Sequence, residues 1–191
     1  MLKKAAAILL IALVMTSCIN VATTGAQLVY NRHSIEKSLH DQYLTRQAYQ
    51  ALYVDHKDYQ DSNIVITTYE GEMLLIGQTP SESQKIQAEE FIKKKAKVKQ
   101  LYNLVEIRSP SSYLTRMSDS WITTKIKARL VASEDVEASR IKVVTENGIV
   151  YLLGTLEPEQ ATEAVRIARQ TDGVRQVVKV FSYIKISKSL A

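Results

Sequence analysis

The sequence predicts an α+β fold built from two tandem small modules, each ordered αββαβ, with a three-stranded mixed sheet and two helices on one face. Three observations predict it. Segments of one half recur in the other at an offset near 77 residues, the hydrophobic period changes in the same order within each copy, and about 174 residues remain once an N-terminal leader is set aside.

The leader comes first. Met1-Leu2-Lys3-Lys4 supplies a positive start, Ala5 to Met15 is apolar without interruption, and Thr16-Ser17-Cys18 follows. The apolar run falls short of the roughly 20 residues a membrane-spanning helix needs, so the pattern reads as a signal peptide over residues 1–17. Cys18 is the only cysteine in 191 residues, which removes an internal disulfide from consideration. Met15-Thr16-Ser17-Cys18 resembles a bacterial lipobox, with methionine where leucine is usual, and that resemblance implies cleavage before Cys18 and a diacylglycerol and N-acyl chain on it. Each buried methylene contributes about 0.8 kcal/mol, so two or three chains would hold the protein firmly to a membrane. Ile19 in place of aspartate after the cysteine implies sorting to the outer membrane. Residues 18–40 are expected to form the lipidated tether, with Leu28 to His40 open between a short helix and a strand.

The repeat sets the modules at residues 41–107 and 119–186, with a linker over 108–118 and a tail over 187–191. Glu70-Gly71-Glu72-Met73-Leu74-Leu75-Ile76-Gly77 lies opposite Asn147-Gly148-Ile149-Val150-Tyr151-Leu152-Leu153-Gly154. Asp41-Gln42-Tyr43-Leu44 faces Asp119-Ser120-Trp121-Ile122 at an offset of 78. Pro110 and the serines beside it mark the turn between copies.

Each module opens with a helix, because Leu44, Ala48 and Leu52, like Ile122, Ile126 and Leu130, recur every fourth residue. Two largely apolar runs then flank Glu70-Gly71 or Asn147-Gly148, pairs suited to the positive φ angles of a tight hairpin. Gly71, Gly77, Gly148 and Gly154 are assigned to turns. A second helix follows, behind Ser81 with Gln84 in one copy and at Pro158 in the other. A closing strand, Val98 to Ile107 or Val174 to Tyr183, ends each module. Cores this small are marginal alone, so the copies are expected to pack together.

This order, with its glycine-bearing central hairpin, resembles the BON domain. The leader, the lipobox and two such modules resemble the dual-BON outer-membrane lipoproteins of Gram-negative bacteria, and the stretches Trp121 to Lys127 and Thr145 to Gly148 carry the likeness most specifically. The resemblance implies a protein facing the periplasm whose second module binds anionic phospholipid, and which supports envelope integrity and gathers at the division site.

Residue chemistry points to the same helix. On a helical projection Trp121, Lys125, Ala128 and Ala132 share a sector remote from the core stripe, with Thr124 and Val131 beside it. Indole favours the interface between headgroups and acyl chains. Lys125, Lys127 and Arg129 can meet lipid phosphates, each worth about 1 kcal/mol near an anionic surface. The phospholipid-binding residues are therefore expected to be Trp121, Thr124, Lys125, Lys127, Ala128, Arg129 and Val131. The competing environment for Trp121 is packing against the first module. There, Tyr43, Gln47 and Gln50 occupy the equivalent positions and form a neutral, polar face.

A net charge of +5 suits weak attraction to anionic membranes, and export argues against nucleic acid. Lys93, Lys94, Lys95, Lys97 and Lys99 read as a solvated face at a helix C-terminus. His33 and His40 lack a ligand pattern for a metal, His56 sits in a charged loop, and neither Glu89-Glu90 nor Glu134-Asp135 is placed for acid–base work. No nucleophile elbow, phosphate loop or zinc-protease motif occurs. The sequence thus describes a non-catalytic protein without cofactors beyond its acyl chains. A lipid-tethered adaptor for an envelope protein is the alternative.

Overall fold

The computed structural model describes residues 25–184, so Cys18, the leader and the tail 187–191 lie outside the described residues. From Lys37 onward the two modules belong to one compact unit.

Module one comprises α1 (Gly25–Tyr49), a π-helical turn (Gln50–Val54), a 3-10 turn (Lys57–Tyr59), β1 (Asn63–Tyr69), β2 (Glu72–Thr79), α2 (Glu82–Lys95), β3 (Gln100–Asn103) and β4 (Glu106–Ile107). Module two comprises α3 (Tyr113–Val131), a 3-10 turn (Ala138–Arg140), β5 (Ile141–Glu146), β6 (Ile149–Leu156), α4 (Pro158–Arg169) and β7 (Gln176–Tyr183).

Two expected boundaries move. No glycine or proline follows Gly25 in α1, so helix runs through most of the segment expected as tether, and residues 25–40 are helical. The expected linker 108–118 is likewise short. Ser112 caps α3, its Oγ accepting from the N–H of Thr115 at 3.1 Å, and residues 113–118 are already helix.

In each sheet the central strand pairs antiparallel with the strand before it and parallel with the closing strand. Alternate residues therefore face opposite ways. Met73 and Leu75 join Leu44, Ala48, Leu52 and Ile92 in one core, while Val150 and Leu152 join Ile122, Ile126, Leu130 and Ala164 in another. The remaining faces meet each other. Leu74, Ile76, Tyr151 and Leu153 form a third buried cluster between the sheets. The result is four layers, with helices on both outsides and the two sheets back to back.

Polar groups fix the register of this stack. Buried Glu146 accepts through Oε1 from Gln78 Nε2 at 2.9 Å, from Asn63 Nδ2 at 3.1 Å and from Ser111 Oγ at 3.1 Å. Lys142 Nζ donates to the Thr68 carbonyl at 2.9 Å, and burial pushes its pKa below the ordinary lysine value. A buried carboxyl that accepts three hydrogen bonds, two of them from side chains of module one, resists separation of the modules, because opening breaks those bonds.

The glycines divide into two kinds, which corrects their common assignment to turns. Gly71 and Gly148 sit in the hairpin turns at φ +85° and +72°, each preceded by a residue of positive φ, Glu70 or Asn147. Gly77 and Gly154 lie inside strands. A Cβ on Gly77 would stand 1.9 Å from the Asn63 carbonyl oxygen, and one on Gly154 would stand 2.6 Å from that of Arg140.

The closing strands also differ. Module two has one continuous strand of eight residues. In module one it breaks after Asn103, whose side chain turns back to accept from the Val105 N–H at 3.3 Å and to donate to the Lys85 carbonyl at 3.0 Å. The two pieces keep one register against β2.

Candidate functional site

Helix α3 is held from below and bare above. Ile122, Ile126 and Leu130 are buried in the module-two core. Asp119, only 4 % exposed, accepts from the N–H groups of Asn147 and Gly148 at 2.7 and 2.8 Å. Thr123 Oγ1 donates to Thr145 Oγ1 at 2.8 Å, one turn farther on. These contacts set the rotation of the helix, and so decide which residues it turns outward.

What it turns outward is a stripe of Leu114, Met117, Trp121, Thr124, Ala128 and Val131, spaced alternately by three and four residues, all exposed. Leu114 and Val131 at its ends are 76 % and 75 % exposed, and Trp121 at its centre 64 %. The stripe is about 26 Å long at 1.5 Å per residue. At about 100° per residue it lies opposite the core, with Lys125 and Arg129 along one border and Arg116 and Lys127 along the other.

All four of the expected uncharged contact residues, Trp121, Thr124, Ala128 and Val131, lie on this stripe. Trp121 does not pack on module one, because the modules meet through their sheets, on the far side of the core from α3. The three expected cations divide. Lys127 is exposed, whereas Lys125 Nζ donates to the Asp172 carbonyl at 3.0 Å. Arg129 donates to the Gln170 carbonyl at 2.8 Å and to Thr171 Oγ1 at 3.0 Å. Both thus tie α3 to the turn after α4 while keeping their charge beside the stripe. The only acid on the helix is Asp119, which is turned inward.

Sequence reasoning missed Tyr113, Leu114, Met117 and Arg116, because it placed residues 108–118 in a linker. The signal was present in the three-four spacing, which continues from Trp121 back to Leu114. The first module repeats part of the surface as well. Leu39 and Tyr43, 59 % and 57 % exposed, correspond to Met117 and Trp121 at the offset of 78, but exposed Glu36 and Arg46 replace Leu114 and Thr124, so the apolar stripe is interrupted there by charge.

Elsewhere the chemistry is quiet. The His56 ring stacks on Phe91 with centroids 3.6 Å apart. Lys93 pairs with Glu89, and Lys95 with Asp55, which ties down part of the lysine-rich end of α2. Among the described residues no group of His, Cys, Asp and Glu is arranged to hold a metal, and no helix is long and apolar enough to cross a membrane.

Comparison with known proteins matches the BON domain at residues 40–109 and again at 118–185, which covers both modules. The chain belongs to the BON domain family. Among its relatives, the outer membrane lipoprotein DolP of Haemophilus influenzae is 30 % identical over 187 residues, 96 % of this chain and 97 % of that one. The 21 kDa hemolysin of Actinobacillus pleuropneumoniae is 38 % identical over 126 residues, 66 % of this chain and 65 % of the hemolysin. The osmotically-inducible protein Y of Escherichia coli is 27 % identical over 158 residues, 81 % of this chain and 78 % of that one. Of solved structures, the C-terminal domain of CdsD from the type III secretion system of Chlamydia trachomatis aligns over 74 % of this chain and 98 % of that one, with 12 % identity and a TM-score of 0.32. The αββαβ order of the BON module is thus present twice, and α3 is the first helix of the second copy.

Proposed function

We propose that this chain is a non-catalytic outer-membrane lipoprotein, acylated on Cys18 and facing the periplasm, whose second BON module binds anionic phospholipid through α3 and thereby supports envelope integrity. The near-full-length likeness to DolP supports the outer-membrane, lipid-anchored part of this reading.

The observation that carries the lipid part is the stripe from Leu114 to Val131, apolar or small throughout and bordered by cations on both sides. A helix of this kind lies in the plane of the interface with its apolar face among the upper acyl segments. Fully burying a side chain such as Leu or Met contributes about 1.5 to 3 kcal/mol, and each nearby cation adds about 1 kcal/mol on an anionic leaflet. Those terms alone give a weak, reversible contact. On a protein already held by acyl chains a weak contact suffices, because the anchor keeps the local concentration of lipid high. The anchor then decides which membrane the protein occupies, and α3 decides where on it the protein dwells, the division site included.

Sedimentation with vesicles tests this reading. The chain carrying Cys18→Ser, with no acyl anchor, is expected to co-sediment with phosphatidylglycerol vesicles and not with phosphatidylcholine vesicles, and Trp121→Glu is expected to abolish the difference. Equal sedimentation with both vesicle types would refute headgroup recognition.

A further inference from the structure

The edges of the two sheets are treated differently. In module one, β1 is covered: Tyr53 Oη accepts from the Ile64 N–H at 2.9 Å and donates to the Ile64 carbonyl at 3.1 Å, and Tyr49 Oη accepts from the Ile66 N–H at 3.2 Å. The opposite edge is broken at Asn103. Such devices keep an edge from recruiting another strand. In module two, β7 runs unbroken from Gln176 to Tyr183 and ends its sheet, paired among the described residues only with β6.

Beside that edge lies a cleft of about 220 Å³, lined by Val180 and Ser182 of β7, by Leu153 and Thr155 of β6, and by Tyr69 and Glu72 from module one. Val178 and Val180 face the cluster between the two sheets. A strand laid along β7 would therefore send every second side chain toward the cleft.

The charges in the cleft specify what fits. Glu70 is already satisfied by Lys37 at 2.8 Å and Thr155 Oγ1 at 2.9 Å, and Lys99 Nζ is turned onto the Glu70 carbonyl at 2.6 Å. Among the described residues Glu72 has only the Tyr102 hydroxyl, at 3.4 Å, near the outer limit of a hydrogen bond. Its carboxylate is left for a cation arriving from outside.

We propose that β7 and this cleft form a docking site for an extended segment of a partner protein, added as a fourth strand with a lysine or arginine directed at Glu72. Main-chain hydrogen bonds to β7 would supply affinity and the cleft would supply selectivity, the division of labour that strand addition uses in general. The site lies away from α3, so a membrane-bound molecule can use both.

The test uses the full chain with Cys18→Ser and two fluorescein-labelled peptides of alternating valine and threonine, one with a central lysine and one with glutamate in its place. Fluorescence anisotropy is expected to show the lysine peptide binding at least tenfold tighter, with amide chemical shifts moving along 176–183 and not along α3. Glu72→Lys should reverse the preference between the peptides. Lys179→Pro should abolish binding of both: the Ile184 N–H points to the Leu156 carbonyl, so the alternation of a parallel ladder turns the N–H of Val178 toward β6 and that of Lys179 outward. If the proline variant does not fold, Glu72→Lys decides alone. Equal binding of the two peptides, shifts confined to other strands, or no binding would each overturn the proposal.

Discussion

Asp119 holds the Asn147–Gly148 turn by accepting both of its N–H groups, at 2.7 and 2.8 Å. Asp41 does the same for Glu70 and Gly71, at 2.7 and 2.8 Å, one module earlier. An acid one turn before the core stripe therefore locks each opening helix to its hairpin, and in module two the same bond fixes the rotation of the helix that displays Trp121. Asp119→Ala is expected to cost about 3 kcal/mol, since two buried donors lose a charged acceptor, and Asp119→Asn about half of that. Urea unfolding of the two variants beside the wild type checks the order.

The strand glycines make a steric prediction that the turn glycines do not. Gly77→Ala forces a Cβ to 1.9 Å from the Asn63 oxygen at φ +109°, whereas Gly154→Ala meets the Arg140 oxygen at 2.6 Å with no positive φ to maintain. Overpacking of the milder kind costs about 1 to 3 kcal/mol. Melting temperatures should fall in the order wild type, Gly154→Ala, Gly77→Ala.

Glu70 joins the modules through Thr155 and gives the fold an acid-sensitive component. Burial pushes its pKa up, but hydrogen bonds from Lys37 and Thr155 and the charges of Lys37 and Lys99 outweigh that and hold it below the ordinary 4.5. A carboxyl whose folded pKa is depressed stabilises the fold fully above the unfolded value and loses that contribution as pH falls through the folded one. Glu70→Gln should therefore be less stable than wild type at pH 7, by under about 1 kcal/mol because the pair is partly exposed, and the two should converge in acid. Thermal melts from pH 7 to pH 3 check both limits.

Leu114 and Met117 carry the first half of the stripe. Changing both to serine is expected to weaken binding to phosphatidylglycerol vesicles about tenfold or more, as roughly 1.5 kcal/mol or more of apolar contact is removed. Stability should change little, since Leu114 is 76 % and Met117 54 % exposed. A loss of binding accompanied by loss of fold would show up in the same urea curves.

Much of this is legible in the sequence alone. Periodicity placed all four long helices and the hairpins because each buries a regular stripe, and the repeat located Trp121 opposite Tyr43. The start of α3 was not legible, because Ser109-Pro110-Ser111-Ser112 reads as linker and Tyr113 to Ser118 contributes nothing to the core; its residues face outward, where no burial pattern marks them. The break at Asn103 depends on a side chain reaching Lys85 across the module, which no local pattern encodes. The sheet-to-sheet packing was hidden for a related reason. Leu74 and Ile76 continue an apolar run that a fully buried strand shares with a strand buried on one face.

Trp121 itself offers the most direct test of the claim that α3 enters the headgroup region, because it is the chain's only tryptophan. Its fluorescence should shift to the blue and be quenched by brominated acyl chains in vesicles containing phosphatidylglycerol, and remain unchanged with phosphatidylcholine alone. Emission unaffected by anionic vesicles, at concentrations where the protein sediments with them, would contradict the account.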